Sequence, residues 1–122
     1  MLSLSAFKRS LSHALRGIVR VAREEHSFRV QLVAGILVVA LMFALEIRPA
    51  EKGILCLAIA MVLVLELVNS IFERIADMMQ PRVHHYVADI KDIMAGAVLV
   101  GAVAAALIGA VILLPYLAQL LR

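Results

Sequence analysis

The sequence has a single cysteine, Cys56, so the chain cannot form a disulfide bond within itself. Cys56 stands in the middle of an apolar run, where a cysteine is typically a small packing residue. No cysteine lies near the adjacent pair His84 and His85, and two neighbouring side chains point in different directions on a helix. The sequence therefore indicates neither a disulfide scaffold nor a zinc site.

Aromatic and charged residues are also few, at 5% and 17% of the chain. Six basic residues nevertheless precede the first long hydrophobic run: Lys8, Arg9, Arg16, Arg20, Arg23 and Arg29. Only two aromatic residues in that segment, Phe7 and Phe28, could stack on nucleic-acid bases. We therefore expect the basic segment to face an anionic membrane leaflet, with no nucleic-acid partner.

Hydrophobic residues make up 64% of the 122 residues, and the mean hydropathy is +1.01. A soluble domain of this length leaves a large share of its surface in water and cannot bury so much apolar area. The first apolar run begins near Val30 and lacks a small-residue cleavage site, so no signal peptide is expected. The chain is predicted to be one domain, residues 1–122, and an all-α membrane protein.

Four helical segments are predicted. Residues 1–28 have apolar residues at spacings of three and four and arginines on another face, which is typical of an amphipathic helix on the membrane surface. Three spans are predicted at 30–47, at 53–79 with a cytoplasmic extension, and at 88–114. Pro49 is expected to end the first span and Pro81 to stop the second, while Pro115 lies near the far end of the third.

Small residues recur at every fourth position of the third span: Ala97, Gly101, Ala105 and Gly109. This series predicts a face for close helix packing.

The distribution of basic residues predicts the topology. Besides the N-terminal six, Arg74, Arg82 and Lys91 flank the second loop, whereas the first loop has only Arg48 and Lys52. The positive-inside rule places the N-terminus and the second loop in the cytoplasm, and three spans then leave the C-terminus outside.

A stripe of polar residues leaves the second span toward the cytoplasm. Glu66, Asn69, Glu73 and Asp77 are spaced i, i+3, i+7 and i+11, which puts them on one face of a helix. The apolar run at 53–65 puts Glu66 about 20 Å into the membrane from the outer end of the span. A carboxylate at that depth is costly unless it faces partners or water, so it indicates a functional site.

Two further acidic groups meet the same interface, Glu24 with Glu25 and Asp89 with Asp92. A Mg²⁺ ion beside a nucleotide is commonly held by carboxylates from separate helices and by phosphate oxygens. Lys91 can offset phosphate charge, and Glu66 suits a general base acting on a lipid hydroxyl. These side chains together favour phosphoryl transfer from ATP to a membrane lipid.

Two other functions stay open from the residues alone. Glu66 would also serve as the proton carrier of a small proton-coupled transporter, and the small-residue face would also suit a non-catalytic assembly subunit. A transporter leaves the crowding of Glu73, Asp77, Lys91 and Asp92 at the cytoplasmic end unexplained.

The polar pattern resembles one known family. The series Glu66-x-x-Asn69-Ser70-x-x-Glu73-x-x-x-Asp77, followed by His84 and Lys91-Asp92, is similar to that of the prokaryotic diacylglycerol kinase and undecaprenol kinase family. Gly17 and Glu25-x-x-Phe28-Arg29 fit the same pattern, and the resemblance covers about residues 9 to 116.

This resemblance implies a surface helix plus three transmembrane helices, assembled as a homotrimer with shared active sites in the bacterial inner membrane. It implies that Glu66 is the catalytic base and that Glu25 and Glu73 bind Mg²⁺ at the ATP phosphates. His84, Lys91, Asp92 and Arg9 match positions that contact ATP. Asn69, Asp77 and Ser70 match supporting polar positions.

The sequence departs from the family pattern at several positions. Gln31 stands where many diacylglycerol kinases have a second acid, Ile71 and Phe72 replace a smaller pair, and Arg82 stands where an acid is common. Arg74 adds a charge next to Glu73, where it is expected to be an interfacial side chain, and Glu24 is expected to be a solvated acid. Both diacylglycerol and undecaprenol remain possible substrates. Gln31 and the run LIGAVILLP are somewhat more like the undecaprenol branch.

Overall fold

The computed structural model describes residues 3–79 and 84–122, without the side chain of His84. Regular structure in these residues is helical throughout. The helices are α1 (Leu4–Glu24), α2 (His26–Ala44), α3 (Pro49–Met79) and α4 (His84–Leu120). Three helices of the described part, α2, α3 and α4, are long and apolar enough to cross a membrane. The predicted fold class, an N-terminal amphipathic helix followed by three transmembrane helices, is confirmed.

The helix α3 is central, because it contacts each of the other three helices and packs most extensively on α4. Its buried residues recur at spacings of three, four and six along one stripe: Leu55, Ala58, Val62, Glu66, Ser70 and Ala76. Glycines let its neighbours approach closely. A Cβ atom on Gly101 of α4 would collide with Leu65, and one on Gly35 of α2 would lie 2.9 Å from Ile59 Cγ2. Within the described chain, Gly109 of the predicted packing face meets only open space.

The predicted surface helix at 1–28 is interrupted at Glu25. This residue has extended backbone angles, φ −103° and ψ 118°, and it separates α1 from α2. The break is stabilised by Arg29, whose guanidinium donates to the carbonyls of Ala22 at 3.1 Å and Arg23 at 2.8 Å and so satisfies the last turn of α1. Phe28, with 2% of its surface exposed, anchors the start of α2 in the core.

The first span, predicted at 30–47 with Pro49 as its end, lies in a helix that begins at His26 and ends at Ala44. Pro49 instead begins α3. Proline suits that position because its fixed φ is helical and its missing N–H would have no helical partner there. The residues between the helices, Leu45 and Ile47, are buried beside Leu55 of α3.

Polar contacts close the same end of the molecule. Arg48 Nη2 lies 2.7 Å from Glu51 Oε1, and the hydroxyl of Tyr116 donates to Glu51 while accepting from the Arg48 N–H at 3.3 Å. These contacts hold the last turn of α4, which explains why that helix continues through Pro115 to Leu120 rather than stopping near 114. Pro115 costs α4 one backbone hydrogen bond, while Tyr116 and Leu117 pack on the buried cluster.

The C-terminal end of α3 and the N-terminal end of α4 extend beyond their apolar runs. The helix α3 reaches Met79, the predicted end, and Pro81 lies outside the described residues. The helix α4 begins at His84, before the predicted start at Ala88. Asp89, Lys91 and Asp92 therefore lie in the second and third turns of α4.

Candidate active site

Three carboxylates gather along two turns of α3 at the point where α1 ends and α2 begins. Glu66 is buried on α3, with 5% of its surface exposed, and Glu73 is partly buried two turns further along the same helix. Glu25 reaches the site from the break between α1 and α2. The charges of Glu25 and Glu73 both act on Glu66. Acids that are 48 residues apart in sequence thus form one cluster.

Glu25 is held by the buried hydroxyl of Ser70. Ser70 Oγ donates to Glu25 Oε1 at 3.2 Å, and only 1% of Ser70 is exposed. Because Ser70 is one turn from Glu66 on α3, this hydrogen bond ties the helix break to the part of α3 that carries the buried carboxylate.

Glu73 is held in a similar way by its own helix. Asn69 Nδ2, four residues earlier, donates to Glu73 Oε1 at 3.0 Å. In both Glu25 and Glu73 the side-chain bonds of the described residues reach Oε1, so Oε2 of each acid is left for another partner.

This donor set fits a Mg²⁺ ion that is brought by a nucleotide. Mg²⁺ prefers oxygen ligands, and it usually binds one or two carboxylates together with phosphate oxygens and waters. Among residues 3–79 and 84–122, no three His, Cys, Asp or Glu side chains converge closely enough to hold a metal ion alone. An ion held by Glu25 and Glu73 would therefore need further oxygen ligands, such as waters or phosphates, to complete its coordination.

Glu66 differs from the other two acids in its surroundings. Within the described chain no side chain donates a hydrogen bond to its carboxylate, yet no fully buried polar side-chain atom there lacks a partner. The oxygens of Glu66 therefore retain a small accessible surface. A carboxylate that is not fully enclosed can accept a proton from a group that comes within hydrogen-bond distance.

The other predicted site residues occupy different surroundings. Lys91 Nζ on α4 lies 2.7 Å from Asp77 Oδ1 on α3, an ion pair that joins the C-terminal part of α3 to the N-terminal part of α4. Asp92 is exposed on α4, and Arg9 is exposed on α1. The side chain of His84 lies outside the described residues. The structure thus brings together Glu25, Glu66, Asn69, Ser70 and Glu73, and separately Asp77 with Lys91.

Sequence reasoning missed two residues beside this cluster, Glu24 and Arg74. The guanidinium of Arg74 donates to Glu24 Oε2 at 2.6 Å, and its Nη1 lies 3.6 Å from Glu25 Oε1. The sequence had suggested that Arg74 is an interfacial side chain and Glu24 a solvated acid, but the two form an ion pair with each other. Arg74 follows Ser70 by four residues, and this helical spacing is the one feature of the sequence that could have predicted their contact. Nothing in the sequence indicates the contact of Arg74 with Glu24, which lies 50 residues away.

An apolar cavity of about 190 Å³ lies between α2 and α3, on the N-terminal side of Glu66 along α3. Its lining residues are Leu32, Gly35, Ile36, Val39, Ile59 and Leu63. Leu63 and Ile59 precede Glu66 by three and seven residues, so they share its helix face. The cavity therefore lies against the same face of α3 as the buried carboxylate.

Comparison of the sequence with known proteins identifies relatives of this chain. The family model described as prokaryotic diacylglycerol kinase matches residues 12–113. A protein of Bacillus subtilis (strain 168) named undecaprenol kinase is 37% identical over 114 residues, which cover 93% of this chain and 93% of that protein. A Synechocystis protein named diacylglycerol kinase is 32% identical over 113 residues, which cover 92% of this chain but 65% of the relative.

The match confirms the resemblance predicted from the polar pattern. Both relatives are named as kinases of a lipid alcohol, so the predicted enzyme class, a phosphotransferase with an alcohol acceptor, is confirmed at the level of the family. The roles predicted for individual residues remain predictions.

Proposed function

Because the chain belongs to the prokaryotic diacylglycerol kinase family, we propose that it transfers the γ-phosphoryl group of MgATP to the hydroxyl of a membrane lipid. The observation that carries this proposal is the cluster of three carboxylates on α3 and at the α1–α2 break. One of them, Glu66, is buried at the membrane side, and the other two each keep one oxygen for another ligand.

Glu66 is the proposed catalytic base. The lipid hydroxyl oxygen forms a bond to the γ-phosphorus while its proton passes to the Glu66 carboxylate. The bond from the γ-phosphorus to its bridging oxygen breaks, and ADP leaves with that electron pair. Such a transfer asks the protein mainly for positioning, a proton acceptor and charge neutralisation. The hydrogen bonds within the cluster keep Glu25 and Glu73 in place beside this base.

Mg²⁺ is the proposed cofactor, with Glu25 and Glu73 as its protein ligands. When bound, the ion supplies the positive charge that neutralises the phosphate oxygens of ATP. Ser70 and Asn69 orient the two acids by engaging one oxygen of each.

The nucleotide is proposed to lie at the cytoplasmic side of this cluster. Lys91 offers its ammonium group to the phosphates, and Asp77 holds that side chain at the α3–α4 junction. Asp92, His84 and Arg9 are proposed as further nucleotide contacts, on the strength of the family pattern.

The lipid is proposed to enter sideways between α2 and α3. The apolar cavity there suits a hydrocarbon chain, and its line along α3 would bring the lipid hydroxyl to Glu66. Both diacylglycerol and undecaprenol fit a site of this kind. Since the match to the undecaprenol kinase covers nearly all of both chains, undecaprenol is the acceptor to test first.

We further propose that the protein lies in the bacterial inner membrane as a homotrimer, with its N-terminus and its α3–α4 connection in the cytoplasm. The charge distribution supports this orientation. The exposed apolar side chains along α2, α3 and α4 leave surface for lipid and for neighbouring copies.

The test is phosphate transfer from γ-labelled ATP by the purified protein in mixed micelles with Mg²⁺. Diacylglycerol and undecaprenol are offered in parallel. Labelled product from either lipid supports the kinase, and the faster reaction identifies the acceptor. No product from either lipid, although the folded protein binds ATP, would contradict both acceptors. A protein that binds no ATP and moves protons would instead favour the transporter.

A further inference from the structure

Arg74 forms the most extensive set of polar contacts beside the candidate active site. Its guanidinium donates to Glu24 at 2.6 Å, to the Ser70 carbonyl at 2.9 Å and to the Ser70 hydroxyl. An exposed ion pair by itself contributes little to stability. Arg74 differs from such a pair because one of its partners, the Ser70 hydroxyl, is buried and also bonds to Glu25.

The chemistry of the groups fixes the direction of this chain of hydrogen bonds. A guanidinium has only donors, so the Ser70 oxygen must accept from Arg74. A hydroxyl has one proton, and the Ser70 proton is then directed to Glu25 Oε1, 3.2 Å away. Arg74 therefore directs the Ser70 hydroxyl toward Glu25, and through that hydroxyl it helps to hold the Glu25 carboxylate in place.

Glu24 explains how a cation can lie so close to a proposed metal ligand. Arg74 Nη1 is 3.6 Å from Glu25 Oε1, beyond hydrogen-bond distance, whereas its Nη2 is 2.6 Å from Glu24. The carboxylate of Glu24 offsets the guanidinium charge locally, so that Arg74 competes less with a cation for Glu25.

We propose that Arg74, paired with Glu24, is a positioning residue that acts through Ser70 to hold the Glu25 carboxylate ready for a divalent metal–nucleotide complex. This inference rests on the proposed function, because it assigns the metal to Glu25. Removing a residue that hydrogen-bonds to a metal ligand, without contacting the metal, typically weakens metal binding by about 10- to 100-fold.

The test measures the binding of Mn²⁺, a paramagnetic substitute for Mg²⁺, by electron paramagnetic resonance. It is carried out on the full chain, with Mn²⁺ alone and with a non-hydrolysable ATP analogue. For Arg74→Ala we expect about 10-fold weaker Mn²⁺ binding and a similar rise in the KM for MgATP, with a much smaller change in kcat and in the KM for lipid. Arg74→Lys should recover part of the loss, since it keeps the charge but lacks the fork that reaches both Ser70 and Glu24.

A double-mutant cycle tests the route through Ser70. If Arg74 acts through the Ser70 hydroxyl, Ser70→Ala should weaken Mn²⁺ binding to a similar extent, and the double variant should be little worse than either single one. Fully additive losses would show that Arg74 acts by another route and would overturn the proposal.

The matched control is Arg48→Ala. It also removes an arginine that pairs with a glutamate near an end of α3, at 2.7 Å, but at the opposite end of the molecule. It should leave Mn²⁺ affinity and the KM for MgATP unchanged. Equal Mn²⁺ affinity in wild type and Arg74→Ala, or tighter binding in the variant, would overturn the proposal.

A failure of the kinase assignment would be recognised separately. Wild-type protein without any transfer of phosphate to lipid contradicts the proposed function, while the Mn²⁺ affinities still decide whether Arg74 positions Glu25. If Arg74→Ala does not fold, Glu24→Gln provides the second variant. It leaves the guanidinium charge without its counter-charge beside Glu25 and should weaken Mn²⁺ binding, and an unchanged affinity would contradict the proposal.

Discussion

Glu25 is the single residue between α1 and α2, and its neighbours decide where its carboxylate lies. Arg29 caps the end of α1, Phe28 anchors the start of α2, and Ser70 receives the side chain on α3. These contacts explain the series Glu25-x-x-Phe28-Arg29. Phe28 and Arg29 stabilise the break between the two helices, and the break positions Glu25.

Residue-level prediction succeeded where the spacing was local. Asn69 and Glu73 are four residues apart on α3, so a helix was enough to predict that they share a face. The contacts of Ser70 with Glu25 and of Arg74 with Glu24 join positions 45 and 50 residues apart. No helical period relates such positions, since their approach depends on how α1 and α2 pack on α3.

Glu73→Gln is expected to weaken the dependence of activity on metal. The amide keeps the hydrogen bond from Asn69 but removes the charge proposed to hold Mg²⁺, so the apparent Mg²⁺ affinity should fall by about 10-fold or more. The measurement is a Mg²⁺ titration of lipid phosphorylation at fixed ATP. Glu46→Gln, an exposed acid at the opposite end of the bundle, is the control. A metal dependence equal to that of wild type would remove Glu73 from the metal site.

At the scale of the helices, the number and order of elements follow from hydropathy, but several boundaries do not. Proline explains two of the differences. Pro49 was expected to end a helix and begins one, and Pro115 lies inside α4, whose last turn is held by Tyr116 and Leu117. Proline fixes φ and lacks an N–H donor at both positions. The packing of the neighbouring residues decides whether the helix begins, ends or continues there.

Gly101→Leu is expected to separate α3 from α4 and destabilise the bundle. Even a Cβ atom at this position would collide with Leu65, so a leucine should cost about 1–3 kcal/mol through forced repacking. Thermal unfolding in detergent provides the measurement. Gly96→Leu, on the same helix but with nothing within 4 Å of an added Cβ, is the matched control. Equal midpoints for the two variants would show that the α3–α4 contact does not limit stability.

At the scale of the whole molecule, the sequence indicated a membrane protein by its composition alone, and three apolar helices follow that prediction. Composition and charge do not predict how the helices are arranged around α3. In a membrane, an apolar face can contact either lipid or another helix, so hydrophobicity does not show which faces pack together. The close approach at Gly35 and Gly101 selects which faces meet.

The predicted orientation can be tested by cysteine labelling, since only Cys56 must first be replaced. In intact cells, a membrane-impermeant maleimide should label Ala50→Cys in the first turn of α3, which is predicted to lie outside. It should label Ser5→Cys on α1 only after the cells are permeabilised. The reverse labelling pattern would place the carboxylate cluster on the side without ATP and would contradict the proposed reaction.

The most direct test of the central claim compares wild type with Glu66→Gln in two assays on the same samples. One measures phosphate transfer from γ-labelled ATP to undecaprenol and diacylglycerol, and the other measures binding of a non-hydrolysable ATP analogue. A base that acts only on the lipid hydroxyl predicts that Glu66→Gln loses at least about 100-fold in turnover while the analogue binds as in wild type. Turnover retained by a folded Glu66→Gln protein would contradict the assignment of Glu66 as the catalytic base.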